Sequence, residues 1–225
     1  TQVLSAEAFY QNQLACKSMS LFLVSSDKYA LGEKLHEWLV HEYKRKDSYA
    51  VLRPSREYDL TDGITLEGWF KHDARGFYSW APRLINKFGQ GGSDGYCLTV
   101  AGSGKVLFEL NNSRTGEAAY HSVDSPKSGQ WFHLAATWDI HTKQMRMYIN
   151  GEEQGDPLEF LGPIGLTSVP LGFATNNLRA TRIDASYSEI RIWNYARSGE
   201  EIRENKNKRL DAGQDGLVFY GRFSD

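Results

Sequence analysis

The sequence predicts an all-β sandwich or barrel, and three observations carry that expectation. Aromatic residues are abundant, with 6 Trp, 12 Tyr and 11 Phe among 225 residues, and such side chains fit pleated, half-buried surfaces. The 21 Gly against only 6 Pro supply positive-φ turn positions without breaking strands. From Asp47 onward the chain falls into short apolar or alternating stretches separated by turn signals, the spacing of sheet proteins rather than of strand–helix–strand units.

The length suits one large domain or two small ones. A hydrophobic share of 40% is enough for a sizeable core and excludes disorder as the main state. With 26 Lys and Arg against 28 Asp and Glu, a net charge of −2, there is no overall basic field to drive nucleic-acid or anionic-membrane binding. The longest apolar run, Met19 to Val24, is far below the roughly 18 residues of a membrane-spanning helix. No nucleic-acid partner and no membrane span are expected. Opening at Thr1 without Met reads as a processed chain or an excised piece of a larger one.

Residues 1–46 differ from the rest. Ser5 precedes a short helical stretch, Ala6 to Cys16, and Met19 to Ser25 reads as a strand. In Leu31 to Tyr43, Leu31, Leu35, Trp38, Leu39 and Tyr43 recur at three- and four-residue steps between charged positions, which predicts an amphipathic helix. Lys44, Arg45 and Lys46 lie at its C-terminal end, where the helix dipole favours cations. Strands follow at Tyr49–Leu52, Thr65–Lys71, Arg83–Lys87, Tyr96–Ala101, Lys105–Asn111, Ala118–Val123, Trp131–Asp139, Gln144–Asn150, Leu171–Ala174, Ser186–Trp193 and Leu217–Phe223. Asp62-Gly63, Gly89 to Gly95, Gly102-Ser103-Gly104, Asp124 to Gly129, Asn150-Gly151 and Gly162-Pro163 mark turns between them. Ser198 followed by Glu200 and Glu201 resembles a helix cap leading into Ile202 to Leu210.

Several segments in order resemble laminin G-like, concanavalin A-like domains. They are Asp59-Leu-Thr-Asp-Gly-Ile-Thr-Leu-Glu-Gly-Trp-Phe-Lys71, Leu84-Ile-Asn-Lys87 with Gly95-Tyr-Cys-Leu-Thr-Val100, and Gly129-Gln-Trp-Phe-His-Leu-Ala-Ala-Thr-Trp138. Met145-Arg-Met-Tyr-Ile-Asn-Gly151 and Ser188-Glu-Ile-Arg-Ile-Trp-Asn-Tyr-Ala-Arg-Ser-Gly-Glu-Glu-Ile202 continue the likeness. The resemblance implies a two-sheet antiparallel jelly-roll sandwich over residues 47–225, with 1–46 as a helical extension or the end of a preceding module. Gly221 stands where many relatives carry a closing aromatic.

Glycosidases of this fold carry two Glu and an Asp alternating on one strand, so that two carboxylates face one cleft. That pattern is absent. Glu189 and Arg191 share a strand face and read as a surface ion pair. Gly102-Ser-Gly-Lys105 lacks the Ser or Thr of a phosphate loop and reads as a hairpin turn. The run from Asp211 to Arg222 lacks the closing Glu of a calcium hand. His36 and His41, five apart on the predicted helix, cannot share a metal from one face. Cys16 and Cys97 offer one possible bridge, and Asn111-Asn112-Ser113 is a glycosylation pattern open to use in a secreted protein.

The resemblance further implies Ca²⁺ held at the sandwich rim by Asp and Asn oxygens. The candidate ligands are Asp94, Asn176, Asn177 and Asp184; turn formation is their competing role. A second candidate site comes from the residues themselves. The connection His72 to Pro82 packs Phe77, Tyr78 and Trp80 where a plain loop would be polar, with Asp73 and Arg75 beside them. Sugar rings stack on such aromatics while a few polar groups take their hydroxyls; folding back over the sandwich edge is the alternative. Trp69, Trp131, Trp138 and Trp193 lie on predicted strands and are expected in the core. The expected function is a non-enzymatic, lectin-like module, secreted or at the cell surface, that recognises a glycan or glycoprotein through its rim loops. The alternative is a protein-interaction or adhesion module contacting a protein partner or an adjoining domain.

Overall fold

The computed structural model describes residues 2–4, 50–51, 56–72, 83–89, 94–101, 103–173, 175–176, 179–182, 185–211 and 213–221. The helices expected within residues 6–16 and 31–43 lie outside these, as does the strand expected at 19–25.

Alternating apolar residues and Gly-bearing turns generate a run of antiparallel strands: β1 Gln2–Leu4, β2 Ala50–Val51, β3 Gly63–His72, β4 Arg83–Phe88, β5 Asp94–Ala101, β6 Lys105–Asn112, β7 Glu117–Asp124, β8 Phe132–Asp139 and β9 Gln144–Ile149. Short strands β10 Glu152–Glu153, β11 Leu158–Glu159, β12 Gly172–Phe173, β13 Thr175–Asn176 and β14 Arg179–Arg182 follow, then β15 Ala185–Trp193, helix α1 Gly199–Asn205 and β16 Leu217–Gly221. They form two main sheets and a separate two-stranded one, β13-β14. The larger runs β1-β16-β15-β3-β8-β9-β10, with β11 also on β9, and the smaller runs β2-β12-β4-β5-β6-β7. Strands distant in sequence are neighbours, as β15 beside β3 shows, which is the two-sheet sandwich the sequence predicts. Strand β1 was not expected; it pairs parallel to β16, Gln2 opposite Phe219 and Leu4 opposite Gly221.

The core lies between the sheets. On β3, Ile64, Leu66 and Phe70 point inward; Leu134 and Trp138 on β8, and Ile190 and Ile192 on β15, join them. Leu84, Tyr96, Leu98, Phe108, Leu110 and Phe173 face them from the smaller sheet, and the Phe173 and Phe219 rings stack at 5.0 Å across the gap. Each such side chain contributes about 1.5–3 kcal/mol by leaving water.

The segment after β11 closes one end of the sandwich. Trp138 Nε1 donates to Phe160 O at 2.9 Å, and Gly162, at φ +69°, leaves room where a Cβ would come within 2.4 Å of the Trp138 ring. Lys87 is only 2% exposed at this end; its ammonium donates to Thr167 O and lies 3.5 Å from Asp59 Oδ1. A charge that deep persists only when paired and hydrogen-bonded.

Helix α1 covers the outer face of the larger sheet. Ser198 and Glu201 close a reciprocal capping box, as the sequence predicts, and Ile202 packs on Ala135 and Tyr148. The helix ends at Asn205 rather than continuing to Leu210. Arg191 takes the carbonyls of Asn205 and Lys208, which turns the chain away from the helix axis.

Candidate functional site

The connection bearing Asp73, Arg75, Phe77, Tyr78 and Trp80 lies outside the described residues, but both of its anchors are described. Strand β3 of the larger sheet ends at His72, on the sandwich rim, and β4 of the smaller one begins at Arg83. That rim is built. His72 Nε2 and Ser125 Oγ lie 2.8 Å apart, and Gly129 N–H donates to His72 O at 2.8 Å, tying the turn before β8 to the end of β3.

Trp131 follows that turn and is 44% exposed. Strand β8 begins with Phe132 pointing inward, and alternation puts Trp131 on the outside. This corrects the expectation of a core residue. Trp138 and Trp193 are buried as expected, whereas Trp69 is half-buried. Phe70 pairs with Phe132, so Lys71 stands opposite Trp131, its Nζ 5.4 Å from the ring centroid. The rim therefore presents an indole face and an ammonium together, a pairing that stabilises by cation–π attraction.

Of the four residues expected to hold Ca²⁺, only the Asp94 side chain is described. Asp94 Oδ1 accepts from Ser113 N–H at 2.9 Å and Oδ2 from Ser113 Oγ at 2.8 Å, so its carboxylate closes the β6–β7 turn instead of offering free oxygens. Asn176 lies on β13, and only its backbone is described; Asn177 and Asp184 lie outside. Among the described residues no three His, Cys, Asp or Glu side chains converge as a metal site. Asn111 is 9% exposed, a poor position for a bulky glycan.

A charged cluster that sequence reasoning missed lies under α1. Glu67, fully buried on the outer side of β3, accepts from Trp193 Nε1 at 2.8 Å and Arg197 Nη1 at 2.6 Å; His133 Nε2 lies 3.5 Å from its other oxygen. Burial pushes the carboxyl up, but the hydrogen bond and charge of His133 and the guanidiniums of Arg197 and Arg191 outweigh it and hold Glu67 at about 2. Burial drives His133 the other way, below its ordinary value, against the opposing pull of Glu67. The expected Glu189–Arg191 ion pair exists at 3.4 Å, but Arg191 has no exposure, so it is a buried clamp rather than a surface pair. Enclosed on all sides, this cluster holds α1 and the segment after it on the sheet.

On the smaller sheet Arg83 Nη1 donates to Asn86 Oδ1 at 2.8 Å and Thr99 Oγ1 to Glu109 Oε1 at 3.2 Å. Cys97 between them is a free, buried thiol, raised by burial first and then by the Glu109 charge. Cys16, its possible partner, lies outside the described residues. Among the described residues no helix is long and apolar enough to cross a membrane.

Residues 44–203 match a laminin G-like family of the concanavalin A-like lectin/glucanases superfamily, and the chain belongs to that family. The match reaches from just before β2 into α1. No curated protein matches the chain. Among solved structures it is similar to a Bacteroides ovatus protein described as a candidate for carbohydrate binding, with TM-score 0.59 and 18% identity over 77% of this chain and 48% of that one. It is also similar to the binding domain of Paraclostridial Mosquitocidal Protein 1, with TM-score 0.56 and 16% identity over 72% and 41%. A botulinum neurotoxin type C structure, described as interacting with two ganglioside molecules, gives 0.53 and 16% over 71% and 39%. These identities speak for the fold, and the chain spans less than half the length of each of these solved chains.

Proposed function

We propose that this chain is a non-catalytic carbohydrate-binding module that holds a glycan at the rim where β3 runs into the 73–82 connection. The observation that carries this reading is Trp131, a large aromatic left 44% exposed beside Lys71 on a rigid rim. An indole face receives the C–H face of a sugar ring while nearby polar groups take its hydroxyls. Phe77, Tyr78 and Trp80, with Asp73 and Arg75, belong to the connection that starts at this rim and extend the same mixture of aromatic and polar groups. The carbohydrate-binding description of the Bacteroides ovatus neighbour and the ganglioside interaction of the neurotoxin support the same ligand class. Binding is preferred to catalysis because no strand carries the paired carboxylates that glycoside hydrolysis needs. A secreted or cell-surface location, where glycans are displayed, accords with this role.

A glycan array probed with and without Ca²⁺ tests the reading and the cation together. Retention of a defined glycan class that weakens in Trp131→Ala supports it, and loss of signal on removing Ca²⁺ adds the ion. An array with no retained glycan under either condition overturns it.

A further inference from the structure

A different part of the molecule is built for another kind of partner. Strand β7 is the outermost strand of the smaller sheet. It runs eight residues in unbroken register with β6, from Asn112 opposite Glu117 to Lys105 opposite Asp124. The other ends of the two main sheets are β1, β2 and β10, of two or three residues each. Sheet edges are ordinarily protected by Lys, Pro, a bulge or brevity. β7 has none of these: its sequence is Glu-Ala-Ala-Tyr-His-Ser-Val-Asp.

Parity shows which backbone groups are free. Ser125 N–H donates to Gly104 O on the β6 side, and antiparallel pairing alternates. Val123, His121 and Ala119 therefore face β6, while Asp124, Ser122, Tyr120 and Ala118 turn their N–H and C=O outward. The following segment does not fill that edge. Glu117 accepts the N–H of Leu161 and of Gly162, and the His121 ring bonds the Asp156 backbone. Both side chains belong to the odd-numbered, inward-facing set, so 156–162 packs beneath β7, and among the described residues nothing pairs with its lateral edge.

The surroundings select the occupant. Tyr120, at 67%, is the most exposed large hydrophobic residue described, and Leu158 and Leu161 are exposed on the segment below. Glu109 stands opposite Tyr120, Asp124 is 88% exposed, and Asp156 and Glu159 are exposed. Cations beside them include Lys105, which pairs with Asp124, Arg114 in the β6–β7 turn and Lys143, whose carbonyl accepts the Phe160 N–H.

We infer that the free edge of β7 receives an extended, basic peptide segment as an added strand. Main-chain bonds to residues 118–124 supply the attachment and the acidic flanks set its charge preference. This reading does not depend on the glycan reading, although Ser125, next after β7, bonds His72 at the glycan rim; the peptide probes and the glycan array test the two separately.

The test uses a labelled eight-residue peptide alternating Lys and Val, with a Glu–Val peptide as control, followed by fluorescence anisotropy. The Lys–Val probe binds saturably, and the Glu–Val peptide binds about tenfold or more weakly. Ser122→Pro removes one outward N–H without touching the β6 ladder and weakens the probe by about tenfold; Tyr120→Ala and Asp124→Lys weaken it several-fold. Amide exchange at Tyr120, Ser122 and Asp124 slows when the probe is present. Should Ser122→Pro fail to fold, the other two variants and the exchange pattern still decide the matter. Equal binding of both peptides, binding indifferent to the Tyr120 and Asp124 changes, or protection away from β7 overturns the inference. Concentration-dependent dimerisation that protects the same amides without peptide overturns it in favour of a second copy.

Discussion

Arg197 donates to Glu67 at 2.6 Å across 130 positions of sequence, with the two side chains 4% and 0% exposed. This contact joins the second strand of the larger sheet's middle, β3, to the segment entering α1, and Trp193 donates to the same carboxylate oxygen. Removing one partner of a buried pair leaves a charge without its counter-ion, which costs about 3–5 kcal/mol, whereas an exposed pair costs less than about 1. Glu67→Gln and Arg197→Met should each lower unfolding free energy by that larger amount in urea titrations. A loss under about 1 kcal/mol for both would show that the cluster does not hold α1 in place.

Stability should fall with acid in two steps. Burial depresses His133 and, less completely enclosed, His121 below their ordinary value. The unfolded chain then binds more protons, so this stability is present above the unfolded value of about 6.5 and is lost as pH falls through it. Glu67, held at about 2 in the folded protein, contributes stability present above its unfolded value of about 4.3 and lost from there down toward pH 2. Thermal midpoints measured from pH 8 to 2 should show both declines. His133→Gln should flatten the upper one and, by removing the hydrogen bond and charge that lower Glu67 most, shrink the lower one as well; an unchanged upper slope would refute the assignment.

The central strands were legible because two local signals agree there. Alternation in Val106, Phe108 and Leu110, bounded by Gly104 and Gly116 at positive φ, specifies β6 and both its turns. The Ser198–Glu201 cap was readable for the same reason, since its two bonds join residues three apart. What escaped was non-local. Glu67 sits on the outer parity of β3, where a carboxylate reads as solvent-facing, and nothing near it in sequence announces Arg197 or Trp193. Trp131 was misread because one residue separates it from the first inward position of β8; its exposure depends on where the strand starts. Strand β1 gains its partner only from β16 at the other end of the chain.

Removing residues 1–46 tests how the N-terminal segment relates to the sandwich. The deletion strips β1 from β16 and leaves Phe219, Tyr220 and Gly221 without their parallel neighbours. A few exchanged backbone bonds at about 0.5–1.5 kcal/mol each predict a loss near 1–3 kcal/mol and a lower melting temperature. The predicted amphipathic helix at 31–43, marginal alone in water, adds to that loss if its Leu35, Trp38 and Leu39 face docks on the sandwich. A chain of residues 47–225 that melts with the full-length protein would make the segment an independent appendage.

Three tryptophans separate binding from packing. Trp138 has no exposure and bonds Phe160, so Trp138→Ala should cost about 3–5 kcal/mol of stability, as large core truncations do. Trp131 is 44% exposed and contacts Lys71 at the rim. Trp131→Ala should therefore leave the urea midpoint within about 1 kcal/mol while removing about 1–3 kcal/mol of glycan affinity, the scale of burying a large side chain against a ligand. Trp80→Ala, in the connection that begins at the same rim, should follow the Trp131 pattern if it shares the platform. Lost stability with affinity retained in Trp80→Ala would mark that residue as a cover of the core and confine the sugar to Trp131 and Lys71.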